Sequence, residues 1–264
     1  MSKQAPFYDP IEQELIHGFS QLPSSTFRMW EPCLSVPFWE MNLWGGYVTE
    51  AQEYGSRLQL RGEESVARWK KAMQHSLWGF DSPRHKEFGN DLRVRLTGPM
   101  GPVITSPWNL KCSHHYSVYE RLTGNDISTF DRIVEWGGGS GDFAKFVFNM
   151  GFSGEYVIAD LPGTSLVSKA NISEDPSLYN VSWTTTPPPT SDKKTLFVST
   201  WALSETPMDL RVEVMETVSP DNWLIIYQRH IWDYDNERFF SCWEGEREEI
   251  PWIKWDRGSE LIAW

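Results

Sequence analysis

Apolar and polar positions change rhythm partway along this chain. Before residue 128 the apolar positions fall at helical spacing. Residues 10–19 carry Ile11, Leu15, Ile16 and Phe19 on one helical face. Residues 46–60 and 65–77 also read as helices, joined across 61–64, with Ala67, Trp69, Ala72 and Met73 on the inner face of the second. Residues 22–37 are rich in Ser and Pro and read as loop. A short strand is predicted over 92–96, then a loop over 98–107, where three prolines and two glycines interrupt the chain. A helix follows over 110–122 and ends at Gly124 and Asn125.

From residue 129 onward, short apolar runs alternate with helical segments. Strands are predicted over 132–135, 155–159, 181–184, 195–200 and 223–228, and helices over 142–150, 165–170 and 209–218. This alternation predicts an α/β fold, a parallel sheet with crossover helices. Residues 184–192, with Pro187, Pro188 and Pro189, read as an extended loop. A last, charge-rich helix is predicted over 235–249, and a closing hairpin pairs 252–255 with 261–264 around Asp256, Arg257 and Gly258. The chain thus divides into a mostly helical region, 1–128, and a sheet-forming region, 129–264.

The junction after the first sheet-region strand holds the densest chemical signal. Ile133-Val134-Glu135-Trp136-Gly137-Gly138-Gly139-Ser140-Gly141 reads as strand, acid and glycine loop, followed by a helix whose free N–H groups face a ligand. The next strand ends in Asp160, where a carboxylate can accept bonds from two ribose hydroxyls. The dinucleotide pattern Gly-x-Gly-x-x-Gly fits from Gly139 only with Ala144 at its last place, and it leaves Glu135 without a role. The pattern acid-x-Gly-x-Gly-x-Gly is filled completely by Glu135, Gly137, Gly139 and Gly141.

That pattern resembles the first motif of class I S-adenosylmethionine (SAM) methyltransferases. The chemistry agrees, since SAM carries an ammonium and no phosphate, and an acid in the loop would repel a pyrophosphate. Two further segments resemble the sugar O-methyltransferase family. Ser199-Thr200-Trp201-Ala202-Leu203-Ser204-Glu205 stands where that family runs a strand into Asn-Tyr-Ala-x-Ser-Glu, and Asp160-Leu161-Pro162 matches the Asp-Leu-Pro that it shares with small-molecule O-methyltransferases of the plant type. Trp108-Asn109-Leu110, His114-His115-Tyr116 and Tyr119 resemble the aromatic helix before its sheet. The resemblance covers residues 100–230. It implies a class I Rossmann-like sheet of seven strands, with residues 1–128 as a helical substrate-binding or lid region. It also implies SAM as cofactor, held by Glu135, Gly137, Gly139, Gly141, Asp160, Leu161, Ser199 and Thr200, and an acceptor lined by His114, His115, Tyr116, Tyr119 and Trp201. The chain departs from the pattern twice. Thr200 replaces the family's Asn, and Thr184-Thr185-Thr186 with prolines stands where many SAM enzymes place an acid for the adenine.

Methyl transfer to an alcohol needs alignment and a base. Glu205, past the fourth sheet strand, is the first candidate, and His230, past the fifth, is the second. On a helix His114 and His115 point apart, whereas Tyr116 and Tyr119 share a face. No His-x-x-x-His or similar spacing occurs, so no metal is expected.

Composition narrows the acceptor. The 264 residues carry a formal net charge of -12, with Lys and Arg scattered rather than clustered. Neither a nucleic acid nor an anionic membrane is the expected partner. A small neutral or cationic molecule is. The 15 tryptophans suit stacking or caging a cation, and Trp39, Trp44, Trp108, Trp136 and Trp201 lie in segments near the expected site. They leave room for methylation of an amine rather than a hydroxyl, and the Trp-rich N-terminal region offers a surface for a homo-oligomer. A third reading is a methyltransferase-like domain that binds without catalysing. Cys33, Cys112 and Cys242 form neither a zinc pattern nor a disulfide framework. With no signal peptide and no long apolar run, a cytoplasmic location is expected.

Overall fold

The computed structural model describes residues 45–74, 94–96, 101–105, 107–173, 178, 180–231, 234–250 and 259–264. The helix expected at 10–19 and the loop at 22–37 lie outside them. Two helices come first, α1 (Gly45–Arg61) and α2 (Glu63–Gln74), separated at Gly62, whose φ of 112° turns the chain. Tyr47, Ala51, Tyr54 and Leu58 form the buried stripe of α1, and Trp69, Ala72 and Met73 that of α2. A two-stranded ribbon follows, β1 (Val94–Leu96) against β2 (Val103–Thr105). The second strand lies in the segment expected to be loop: its three residues, Val-Ile-Thr, follow Pro102, and β-branched side chains outweigh the flanking prolines. Thr105 Oγ1 and Asn109 Nδ2 both donate to the Met73 carbonyl, capping the end of α2.

The long helix α3 (Pro107–Thr123) begins with proline, which suits a first helical turn. It packs against α1 and against α4 (Asp142–Met150), and Trp69 Nε1 donates to Ser113 Oγ at 3.0 Å to join α2 to it.

A seven-stranded sheet forms the remainder. In chain order its strands are β3 (Arg132–Trp136), β4 (Glu155–Ala159), β5 (Val181–Thr184), β6 (Thr195–Thr200), β7 (Asn222–Gln228), β10 (Glu246–Ile250) and β11 (Ser259–Ala263), and in space they lie β10-β11-β7-β6-β3-β4-β5. The first five are parallel, and β11 runs antiparallel to both β7 and β10. Helix α5 (Pro162–Ser173) connects β4 to β5, while the one-turn α6 (Ala202–Glu205) and then α7 (Met208–Val218) connect β6 to β7. A small ribbon, β8 (His230–Ile231) with β9 (Tyr234–Asp235), and helix α8 (Asn236–Phe240) follow β7.

The central strands β3, β4, β6 and β7 are buried on both faces, as parallel strands in α/β folds are. One face joins Ile133, Ile158, Leu196 and Leu224 to the buried residues of α1–α3, and the other sets Val134, Phe197 and Ile225 against α7. Chain order reverses around β3: successive strands go outward through β4 and β5, then return on its other side with β6. Ligands bind at the carboxyl ends of strands at such a switch point.

The C-terminal expectations need correction. Residues 235–249 do not form one helix; they give the short α8, a turn and strand β10. Charges dominate β10, and they pair laterally: Arg121 with Glu248, Arg229 with Glu249, and Arg247 with Glu260. Such a strand suits a sheet edge. The strand paired with β11 is therefore 246–250 rather than 252–255, which lies outside the described residues. Among the described residues no helix is long and apolar enough to cross a membrane.

Candidate functional site

The glycine loop leaves β3 at the switch point, and its backbone explains its composition. Gly137, Gly139 and Gly141 have φ of 78°, 55° and 77°, a region side chains rarely adopt. At Gly137 space forbids a side chain as well, since a Cβ there would lie 2.0 Å from Ala202 Cβ. The loop after β3 is thus pressed against α6 after β6. Gly141 caps the N-terminus of α4.

Asp160, the residue after β4, is bound to that loop. Gly139 N donates to Asp160 Oδ2 at 2.8 Å, and Leu161 N donates to Oδ1 at 2.6 Å. Burial raises its carboxyl to about 6, against the lowering effect of those donors. Each oxygen keeps acceptor capacity beyond one N–H bond. Leu161 itself is exposed. Glu135 is fully buried beneath the loop, where Tyr156 Oη donates to its Oε2 at 2.8 Å, and burial raises its carboxyl to about 7. Asp142 is also buried, and Ser140 Oγ donates to it. The loop surroundings are therefore rich in carboxylates.

Ser199 Oγ donates to the Trp136 carbonyl and accepts from Leu203 N, so it ties β3 to α6. Thr200 is the half-buried last residue of β6. Trp201 follows with φ 72° and ψ −33°, a strained conformation for a non-glycine residue. Its N–H donates to the Ile226 carbonyl, its carbonyl accepts from Ser204 N and Oγ, and its indole N–H donates to Ser259 Oγ. Lys111 Nζ lies 4.7 Å over its ring, and the His115 ring stands 5.5 Å away.

His115 is completely buried, with neither ring nitrogen hydrogen-bonded among the described residues, and burial drives its pKa well below the ordinary value. His114 lies edge-on to Tyr47 at 4.8 Å, and burial lowers it to about 4. The two tyrosines do not join them. Tyr116 Oη donates to Asp126 while its ring meets Phe146, and Tyr119 Oη donates to the Trp264 carbonyl at 3.4 Å.

Glu205 ends α6, partly exposed at the carboxyl edge of the sheet. Burial raises its carboxyl to about 7, opposed by one donor, Gln228 Nε2, 3.1 Å from Oε1. His230 is exposed in the β8–β9 ribbon, 4.0 Å from Asp235 and 3.8 Å from Glu237. The structure thus groups Gly137, Gly139, Gly141, Asp160, Trp201 and Glu205 around the ends of β3, β4 and β6, with His230 in the outlying ribbon. Sequence reading missed Lys111, Gln228 and Ser259. The signal for Gln228 was its place at the end of a predicted strand. Among the described residues no three His, Cys, Asp or Glu side chains converge to hold a metal ion.

The strand order, with its reversed penultimate member, is that of the class I methyltransferase fold. No family model matches the chain, and no curated protein matches it. Among solved structures it is similar to a SAM dependent methyltransferase from Aquifex aeolicus, at 13% identity and TM-score 0.40, over 50% of this chain and 80% of that one. It is also similar to the mitomycin 7-O-methyltransferase MmcR, at 16% identity and TM-score 0.34, over 51% of this chain and 43% of that one. A third is human N-acetylserotonin methyltransferase in complex with SAM, at 20% identity and TM-score 0.32, over 44% of this chain and 37% of that one.

Proposed function

We propose that the chain binds SAM and transfers its methyl group to a hydroxyl of a small molecule, a sugar or another hydroxylated metabolite. The residues suit that cofactor. Side-chain-free backbone at Gly139 would let a ligand lie against the loop, Asp160 would accept the ribose hydroxyls, and the acidic surroundings of the loop favour a cation. SAM supplies an electrophilic methyl group on a sulfonium that leaves as a neutral thioether.

The observation that carries the catalytic part is Glu205. It is a partly exposed carboxyl at the sheet edge, raised to about 7 and held by one amide. A base with that value takes a proton efficiently near neutrality. With SAM bound, Glu205 would take the proton of the acceptor hydroxyl. His230, set among exposed carboxylates, is the second choice. Residues 1–128 would supply the acceptor side, with His115 standing against Trp201 of the sheet region.

Lys111 bears on the amine alternative. The face of Trp201 already carries the chain's own ammonium at 4.7 Å, which would repel a cationic acceptor from that ring. This favours a hydroxyl.

Calorimetric titration with S-adenosylhomocysteine, with NADH as control, tests the cofactor. Micromolar binding of the first alone is the expected result. Binding of neither, or of NADH, would overturn the reading. Transfer of label from methyl-tritiated SAM to a panel of polyols, phenols and amines would then test the acceptor class.

A further inference from the structure

Arg211, on α7, is completely buried, and among the described residues its guanidinium donates to neutral acceptors alone. Its Nε donates to the Thr206 carbonyl at 2.6 Å, its Nη2 to the Ser204 carbonyl at 2.5 Å, and its Nη1 to Asn236 Oδ1 at 2.6 Å. The rings of Tyr234 and Phe239 lie 4.9 and 5.2 Å from it. Burial lowers its pKa to about 10. Burying a cation without an anion is costly, and the interior tolerates it only where several strong acceptors converge.

Those acceptors are informative. Ser204 and Thr206 are the residues on either side of Glu205, so one planar fork grips the backbone before and after it. Asn236 extends the grip, with Nδ2 donating to the Ser204 carbonyl at 3.2 Å and to the Gln228 carbonyl at 2.8 Å. Gln228 closes the circuit, since its side-chain oxygen accepts from Ser204 Oγ and its nitrogen donates to Glu205 Oε1. An amide anchored at one end presents its N–H to the carboxylate in a fixed direction.

We propose that Arg211, Asn236 and Gln228 are positioning residues that hold the Glu205 carboxylate in one orientation at the carboxyl edge of the sheet. The catalytic consequence rests on Glu205 being the base, but the holding itself does not. Ser199 ties the first residues of the four-residue α6 to β3, and this circuit holds its other end, since so short a helix is not stable alone.

The test is a pH titration of the Glu205 carboxyl by 13C NMR of protein labelled at glutamate Cδ, with Glu205→Gln assigning the signal. Gln228→Leu removes the donor that favours the ionised form, so the midpoint moves up. Arg211→Lys keeps the charge but cannot span both carbonyls. The turn loosens, water reaches Glu205, and the midpoint moves down. Opposite shifts support the proposal. Unchanged midpoints in both variants, or shifts in the same direction, overturn it. If Arg211→Lys does not fold, Asn236→Ala replaces it, with the same downward shift expected. S-adenosylhomocysteine binding, unchanged in each variant, shows that the glycine loop is intact. Where an acceptor has been found, the variants lose about 100-fold in kcat with little change in KM. If Glu205→Gln leaves transfer intact while the midpoints shift as stated, the base assignment fails and the positioning stands. If Glu205→Gln abolishes transfer and the midpoints stay fixed, the reverse holds.

Discussion

Gly139 N donates to Asp160 Oδ2 at 2.8 Å, so the tip of the glycine loop is fastened to the acid that ends the neighbouring strand. The carboxylate therefore has two tasks, shaping the loop and accepting ribose hydroxyls. Asp160→Asn retains an oxygen for Gly139 but loses the charge. Asp160→Ala loses both. Calorimetry with S-adenosylhomocysteine should show a moderate loss for Asn and a loss of at least about 100-fold for Ala, the loss of two charge-assisted hydrogen bonds at roughly 1.5–3 kcal/mol each. Equal affinity in wild type and a folded Asp160→Ala would remove the ribose assignment.

Two glycines with nearly the same backbone separate strain from crowding. Gly101 has φ 81° and, among the described residues, nothing within 4 Å of an added Cβ, while Gly137 has φ 78° and Ala202 Cβ at 2.0 Å. Gly101→Ala should cost about 1 kcal/mol, the conformational penalty alone. Gly137→Ala must also part the loop from α6. It should cost several kcal/mol, as overpacking and strain add, and weaken S-adenosylhomocysteine binding. Thermal melts of both variants, read side by side, check this. Equal melting points would mean the loop and α6 separate freely.

The difference between these glycines also shows what was legible in the sequence. Strands β4 and β6 fall where apolar runs predict them, because burial on both faces leaves no polar alternation to confuse the pattern. The glycine loop and Asp160 were legible because a turn at positive φ and an acid at a strand end have few substitutes. Strand β10 was not. Glu246-Arg247-Glu248-Glu249 reads as a helix surface, and only the lateral partners Arg121, Arg229 and Glu260, remote in sequence, make it a strand. Arg211 gave no signal at all, since an arginine in an amphipathic helix is expected to face water, and only its buried carbonyl partners reveal otherwise.

Glu135 makes the pH dependence of stability specific. Its carboxyl rises from the ordinary 4.5 to about 7 in the fold. Between those two values the unfolded chain gives up the proton while the folded chain keeps it, so stability falls as pH rises through that window and levels off above about 7. Glu135→Gln keeps an oxygen to accept from Tyr156 and removes the titration. Its melting point should exceed wild type at pH 8 and approach it near pH 5, with a ceiling of about 3 kcal/mol. Each kcal/mol is worth about 2–4 °C in a chain of this size. A difference independent of pH would show that Glu135 does not titrate in this range.

Glu205 carries the same shift into activity, with the opposite benefit. A base must be ionised to accept a proton, and burial holds this carboxyl at about 7. The kcat/KM profile for a hydroxyl acceptor should therefore fall about tenfold per pH unit below that value and flatten above it. Glu205→Gln should remove the acid limb and reduce transfer by about 100- to 10,000-fold, the range general bases supply. An amine acceptor behaves differently. It must itself lose a proton before it attacks, so its acid limb belongs to the amine and survives in Glu205→Gln with most of the activity. The location of the limb in wild type and its fate in the variant thus distinguish a hydroxyl from an amine even before the natural acceptor is identified. A limb that persists unchanged in Glu205→Gln with a hydroxyl substrate would place the base elsewhere on the sheet edge.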